Sequence, residues 1–164
     1  MAPLKAKGDL AELKIATDLL ERGYRIAIPY GEDHDFDLIL CRDDRLERVQ
    51  VKYTESNGKF VIVRTRSHSL TNGKVKRTKY YTSATVDWIA VYDKNSDRCY
   101  YVPATELGSG RCSFRLRLTE PLNCQHIGIR YASAYLDPEI RRPSMEPAGL
   151  EPAPSGLQSR RSPN

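Results

Sequence analysis

What is missing narrows this chain first. No stretch of its 164 residues comes near the roughly 20 consecutive apolar residues that a membrane-spanning helix needs. The opening, Met1 to Lys7, carries charge with no apolar run behind it, unlike a secretory signal. A soluble, cytoplasmic protein without a membrane partner is therefore expected. Cysteine is scarce and unpaired in sequence. Cys41, Cys99, Cys112 and Cys124 form no C-x-x-C spacing, which argues against a zinc site. Without a secretory signal, reduced thiols in or near strands are expected rather than disulfides. No internal repeat is visible, and 164 residues suit one domain rather than two.

Large apolar residues also run out towards the end. Residues 137–164 hold six of the ten prolines and cannot bury enough surface to offset their ordering entropy. The expected division is a folded domain at 1–136 and a disordered, Pro-rich tail at 137–164. The tail's four acids and four arginines cancel, so the folded part carries the whole formal charge of +5. A basic surface favours an acidic partner, most often nucleic acid.

Periodicity supplies the elements. Lys7 to Arg22 reads as an amphipathic helix with Leu10, Leu13, Ala16 and Leu20 on its apolar face, stopped by Gly23. Tyr24–Ile28 is β-prone and ends at Pro29. Asp35–Cys41 alternates, with Phe36, Leu38 and Leu40 on one face. A polar turn at Arg42–Arg45 leads into Leu46–Thr54, where Val49, Val51 and Tyr53 share a face. Asn57-Gly58 signals a hairpin, after which Lys59–Arg66 continues the sheet. A long polar loop precedes two core strands, Val86–Tyr92 and Cys99–Val102. A short strand at Ser113–Leu118 follows, then a strand or helical turn at Tyr131–Leu136. The fold class expected is α+β (mixed α/β), a helix layered on a mostly antiparallel sheet.

Three polar pieces interrupt this pattern. Glu12 lies about 80° from the centre of the apolar stripe, on the flank from which a side chain reaches a sheet edge. Asp37 opens a strand. Gln50 and Lys52 share one strand face while Val51 points opposite, into the core. With the turn centred on Asp43-Asp44, Cys41 faces Leu46, Ile39 faces Arg48 and Asp37 faces Gln50, so Asp37, Gln50 and Lys52 cluster at one end of a hairpin. A helix packed across that end adds Glu12. Two carboxylates brought together repel each other, and a hard cation such as Mg²⁺ held through oxygen ligands relieves that repulsion.

This spacing resembles the PD-(D/E)XK nuclease motif: an acid on the first helix, an Asp opening a strand, and acid-x-Lys on the next. More narrowly, it is similar to the small PD-(D/E)XK homing endonucleases encoded in bacterial group I introns, which carry Gln-x-Lys. The shared features are Lys7-Gly8-Asp9-x-x-Glu12, Gly23-Tyr24, Pro29, Asp37-Leu38, Val49-Gln50-Val51-Lys52, and Val91-Tyr92 followed by Tyr101-Val102-Pro103. The chain departs from the general motif at Phe36, where a Pro would precede the Asp, and at Gln50, where an acid would stand. The resemblance implies a restriction-endonuclease-like core with a central mixed sheet flanked by helix. It implies site-specific cleavage of double-stranded DNA dependent on Mg²⁺ or Mn²⁺, and a homo-oligomer, dimer or tetramer. By the same resemblance Glu12, Asp37, Gln50 and the Val51 carbonyl are metal ligands and Lys52 is the catalytic ammonium. A Holliday-junction resolvase, whose usual motif is Glu-x-Lys, a restriction or repair nuclease, and an inactive DNA-binding module of the same fold are the alternatives.

From Arg64 to Tyr81 there is no acid, and Arg64, Arg66, Lys74, Lys76, Arg77 and Lys79 suit contact with phosphates. Tyr80 and Tyr81 suit either base stacking or the core. Trp88, Tyr92, Tyr100 and Tyr101 are expected to be packing residues and Asp87 a structural acid. The scattered His34, His68 and His126 argue against a histidine-based site.

Overall fold

The computed structural model describes residues 3–31, 34–43, 45–71, 74–108, 112–121 and 126–139, with the backbone alone for 69–71 and 74–77. Among these residues, helix α1 (Leu4–Glu21) is followed by nine strands. These are β1 (Arg25–Ala27), β2 (Leu38–Arg42), β3 (Arg45–Thr54), β4 (Phe60–Arg64), β5 (Arg66–Thr71), β6 (Lys74–Tyr80), β7 (Trp88–Asp93), β8 (Arg98–Pro103) and β9 (Ser113–Arg117). Short 3-10 turns occupy Ala104–Glu106 and Ala132–Tyr135, the latter where a strand or helical turn was expected.

The central sheet runs β1-β2-β3-β7-β8. Its one parallel pairing, β3 with β7, makes it mixed; the others are antiparallel. The β2–β3 register pairs Cys41 with Leu46 and Ile39 with Arg48, as counted from the turn. Asp43 takes a left-handed φ of 47° there, a conformation Asp tolerates better than most residues. Strand β7 is buried along its whole length because both faces of the sheet are covered.

One face packs against α1. Ala11, Ile15 and Leu19 are fully buried against Leu38, Leu40, Val49, Val51, Trp88, Ala90, Tyr92 and Tyr101. This corrects the expected helix stripe: Leu13 and Leu20 are exposed at 68% and 55%, while Leu10 and Ala16 are only partly buried. Both stripes have helical spacing. The small Ala11 lets the helix approach the sheet closely, and Leu13 and Leu20 turn away with the opposite face. Glu12 lies about 60° from the centre of the true stripe, still on its flank.

The other face carries a second layer. Strands β4 and β9 pair with each other and pack Val61, Val63, Phe114 and Leu116 onto Ile89, Val91, Tyr100 and Val102. Asn57-Gly58 therefore turns the chain out of the central sheet instead of closing a hairpin with β3. The Asn57 Oδ1 accepts from the Lys59 and Phe60 backbone amides, and Gly58 supplies a φ of 79°. Phe36 precedes β2, escapes its alternation and packs against this second layer rather than with Leu38 and Leu40. The expected polar loop is a two-stranded ribbon, β5–β6.

Buried polar groups lock the frame. Asp93 is fully buried and accepts from the backbone and hydroxyl of both Ser56 and Ser96. Burial alone would raise its pKa, but these hydrogen bonds, with one from the Asn95 amide, hold it below its ordinary value. At the far end of the β2–β3 hairpin, the Arg42 guanidinium lies between the Tyr24 and Trp88 rings and pairs with Glu47. Residues 137–139, grouped with the tail by composition, are tied to this end. Asp137 accepts from Arg22 and Tyr24, and Glu139 from Arg42. The remainder of the expected tail, 140–164, lies outside the described residues. Asp87 binds Arg48, and the four aromatics Trp88, Tyr92, Tyr100 and Tyr101 are at most 1% exposed. Cys41, Cys99 and Cys112 are free thiols. Among the described residues, no helix is long and apolar enough to cross a membrane.

Candidate active site

The site begins where β2 begins. The Asp37 amide donates to the Val49 carbonyl at 2.9 Å, holding this residue to β3 one position before the ladder starts. Its Oδ2 accepts from the Val51 amide at 2.7 Å and from the Gln50 side-chain amide. The carboxylate is thus fixed by the neighbouring strand's main chain. Burial raises the Asp37 pKa, while the Val51 hydrogen bond, the Lys52 charge and Gln50 pull against that rise without cancelling it.

Alternation on β3 aims Gln50 and Lys52 at the face opposite α1, where their β7 neighbours are Ile89 and Val91. Gln50 is buried, and its Nε2 also donates to the Val51 carbonyl at 3.2 Å. Burial pushes the Lys52 pKa down; the Asp37 charge opposes this and the Arg64 charge reinforces it. The ammonium donates to the Tyr81 hydroxyl at 3.4 Å and sits 4.6 Å from the centre of that ring.

Glu12 enters from α1, on the other side of the sheet's end. With Asp37 it lines a cavity of about 300 Å³ shared with Lys5, Asp9, Pro29 and His34. Burial raises its pKa, and the charges of Asp37 and then Asp9 raise it further. Of the four residues singled out by sequence, Asp37 and Gln50 are in direct contact, Lys52 feels the Asp37 charge, and Glu12 shares a cavity with Asp37.

Among the described residues, no three His, Cys, Asp or Glu side chains gather to hold a metal. The oxygens at hand are a mixed set: Asp37 and the Val51 carbonyl meet at the Gln50 amide, and Glu12 shares the cavity that Asp37 lines. The Gln50 Nε2 contacts both the Asp37 carboxylate and the Val51 carbonyl, so two oxygens point at one positively polarised group. That is the arrangement a hard cation exploits, and rotating the amide by half a turn presents its oxygen in place of its nitrogen. The residues fit a Mg²⁺- or Mn²⁺-type ion.

A basic cleft of about 660 Å³ opens beside Lys52, lined by Tyr53, Arg64, Arg66, Ser67 and His68 among others. Arg64 ends β4 and Arg66 starts β5, with buried Thr65 between them. Of the other cations chosen from sequence, Lys79 pairs with Asp35, two residues before Asp37. The side chains of Lys74, Lys76 and Arg77, on β6, lie outside the described residues. Sequence reasoning left Tyr81 undecided between stacking and core. It is a core residue whose hydroxyl reaches the site, whereas Tyr80 is exposed.

A family model described as PD-(D/E)XK endonuclease matches residues 3–138, most of the chain. A solved structure, that of the bacterial homing endonuclease I-Ssp6803I, superposes with a TM-score of 0.61 at 22% sequence identity. The match covers 82% of this chain and 88% of that one. At that identity the likeness is one of fold. No match to a curated protein was found.

Proposed function

The chain belongs to the PD-(D/E)XK endonuclease family, and from that premise we propose that it is a divalent-metal-dependent endonuclease cutting both strands of DNA at specific sites, in the manner of a homing enzyme. One observation carries the reading. Asp37, clamped by the Val51 amide and Gln50, lies near a half-buried lysine that opens onto a cleft containing two arginines.

The residues divide the work. Arg64 and Arg66 hold phosphates electrostatically and bring the backbone past Lys52. Lys52 is a compact point charge in a site of low dielectric, where it stabilises negative charge developing on the attacked phosphate. Asp37 and Glu12, with Gln50 and the Val51 carbonyl, would hold the metal. Mg²⁺ or Mn²⁺ bound there supplies charge neutralisation at the phosphate and a more acidic water. Gln50 contributes a neutral oxygen or orients that water. Its neutrality leaves one negative charge fewer than the general motif, so metal binding rests chiefly on the two acids. Cutting two strands calls for two such sites, and a homo-oligomer, dimer or tetramer, provides them.

The test uses supercoiled plasmid and genomic fragments with Mg²⁺, with EDTA, and with Lys52→Ala. Metal-dependent cleavage into discrete products, lost in Lys52→Ala, is the expected result. Cleavage confined to four-way junctions would assign a resolvase instead. Salt-sensitive DNA binding without cleavage on any substrate would identify an inactive binding module. Light scattering of the purified protein measures the oligomer.

A further inference from the structure

Lysine side chains are long, and an ammonium useful at one point must be kept from wandering. Asp37 attracts Lys52 from one side, but Arg64 repels it and the open cleft offers it water. What else fixes it is Tyr81. This residue follows β6, is 5% exposed and packs among Val61, Val63, Ile89 and Val91. Its amide donates to the Thr65 carbonyl at 2.9 Å, anchoring it at the junction between the two cleft arginines. Its ring lies 4.6 Å from the Lys52 ammonium. Its hydroxyl accepts from that ammonium at 3.4 Å and donates to the Ser67 Oγ at 3.0 Å. A phenol with only a structural duty needs one partner for its hydroxyl, and Ser67 already serves. Contact of both ring and hydroxyl with one cation goes beyond that need.

We propose that Tyr81 is a positioning residue for Lys52, holding the ammonium by ring and hydroxyl and linking it through Ser67 to the strand that starts with Arg66. The inference rests on the reading of Lys52 as the catalytic ammonium. The strand that meets the DNA backbone and the lysine that acts on it are thereby held in one register.

The experiment is single-turnover cleavage of a plasmid substrate in Mg²⁺, with protein in excess, for wild type, Lys52→Ala, Tyr81→Phe and Tyr81→Leu. DNA affinity is measured in parallel in EDTA. A single-turnover rate constant with saturating protein does not depend on the fraction of folded molecules, so a purely structural loss leaves it unmoved. Tyr81→Phe keeps the ring and the packing, and its rate falls about fivefold, the scale of one weak contact to a charge. Tyr81→Leu loses the ring as well and falls about fiftyfold, with phenylalanine the partial rescue. DNA affinity stays within about twofold of wild type in both, since neither change removes a phosphate contact.

Tyr81→Phe cleaving at the wild-type rate overturns the proposal, whether or not Tyr81→Leu folds. So does a rate loss matched by an equal loss of DNA affinity, which would make Tyr81 part of the cleft wall. A wild-type protein that does not cleave, or a Lys52→Ala variant that cleaves normally, refutes the site reading itself and takes this role with it.

Discussion

Replacing Gln50 with Glu restores the acid of the general motif and tests the site without a substrate. Gln50 is 6% exposed, and its amide donates to the Asp37 carboxylate and the Val51 carbonyl. Glutamate removes both donations and adds a third carboxylate beside two whose pKa values are already raised. Loss of a buried donation to a charged acceptor costs about 1.5–3 kcal/mol, and like-charge crowding adds to it. A destabilisation of about 3 kcal/mol in EDTA follows, which for a domain of this size lowers Tm by roughly 10 °C. A divalent cation reverses the sign of the crowding, because the added charge becomes a ligand. Thermal unfolding is therefore followed in EDTA and in a Mg²⁺ titration. The variant unfolds earlier than wild type in EDTA, and Mg²⁺ raises its Tm by more than it raises that of wild type. Equal stability in EDTA, or equal Mg²⁺ shifts in the two proteins, would refute the convergence of oxygens around residue 50.

Five further outcomes follow from the same structure. Asp93→Ala strands the buried Ser56 amide, removes the partner of the Ser96 amide and lowers stability by about 3–5 kcal/mol, while a folded preparation keeps its DNA affinity; denaturant titration and a binding assay check both. Because Asp93 has a lower pKa folded than unfolded, its stabilisation is present above the ordinary value of 3.8 and is lost as pH falls through the folded value. Asp93→Asn accordingly flattens the acid limb of the stability profile. Arg64→Ala and Arg66→Ala each weaken DNA binding across sequences and reduce the salt slope of log K by roughly 1, measured by salt-dependent titration. Leu13→Ser and Leu20→Ser shift stability by less than about 1 kcal/mol in the folded monomer, whereas Ile15→Ala costs about 2–5 kcal/mol. Burial, then the nearby Asp18 charge, pushes the Cys99 thiol up to about 12, so alkylation at pH 8 followed by peptide mass spectrometry finds Cys99 protected and Cys41 and Cys112 modified.

What could be read from the sequence was what local chemistry dictates. The β2–β3 register follows from a polar turn and two alternating strands, and that register places Asp37 against Gln50. The helix was legible but its buried face was not. The sets Leu10-Leu13-Ala16-Leu20 and Ala11-Ile15-Leu19 both have helical spacing, and the approach of the sheet decides between them. Long-range pairing was illegible for a different reason. Parallel β3–β7 pairing is reached through three intervening strands and, among the described residues, no crossover helix, and β4 finds β9 about fifty residues later. No local pattern encodes such partners. The β5–β6 ribbon did carry a signal, Asn72-Gly73, overshadowed by the basic composition around it. Tyr81 carried none, since a tyrosine beside a lysine in space looks like any other core tyrosine in sequence.

The site draws its members from several packing interfaces. Asp37 is set by hydrogen bonds to β3, Gln50 and Lys52 by the β3–β7 pairing, Glu12 by α1 on one face, and Tyr81 by the second layer on the other. The acids and the ammonium thus meet only when both faces of the sheet are covered. Loosening α1 withdraws Glu12 and leaves the Asp37–Gln50–Lys52 group standing; loosening the β4–β9 layer frees Lys52 and leaves the acids. The two losses have different signatures, metal affinity in the first case and the rate at saturating metal in the second. An assay that varies Mg²⁺ separates them in variants far from the chemistry, such as Ile15→Ala and Val63→Ala.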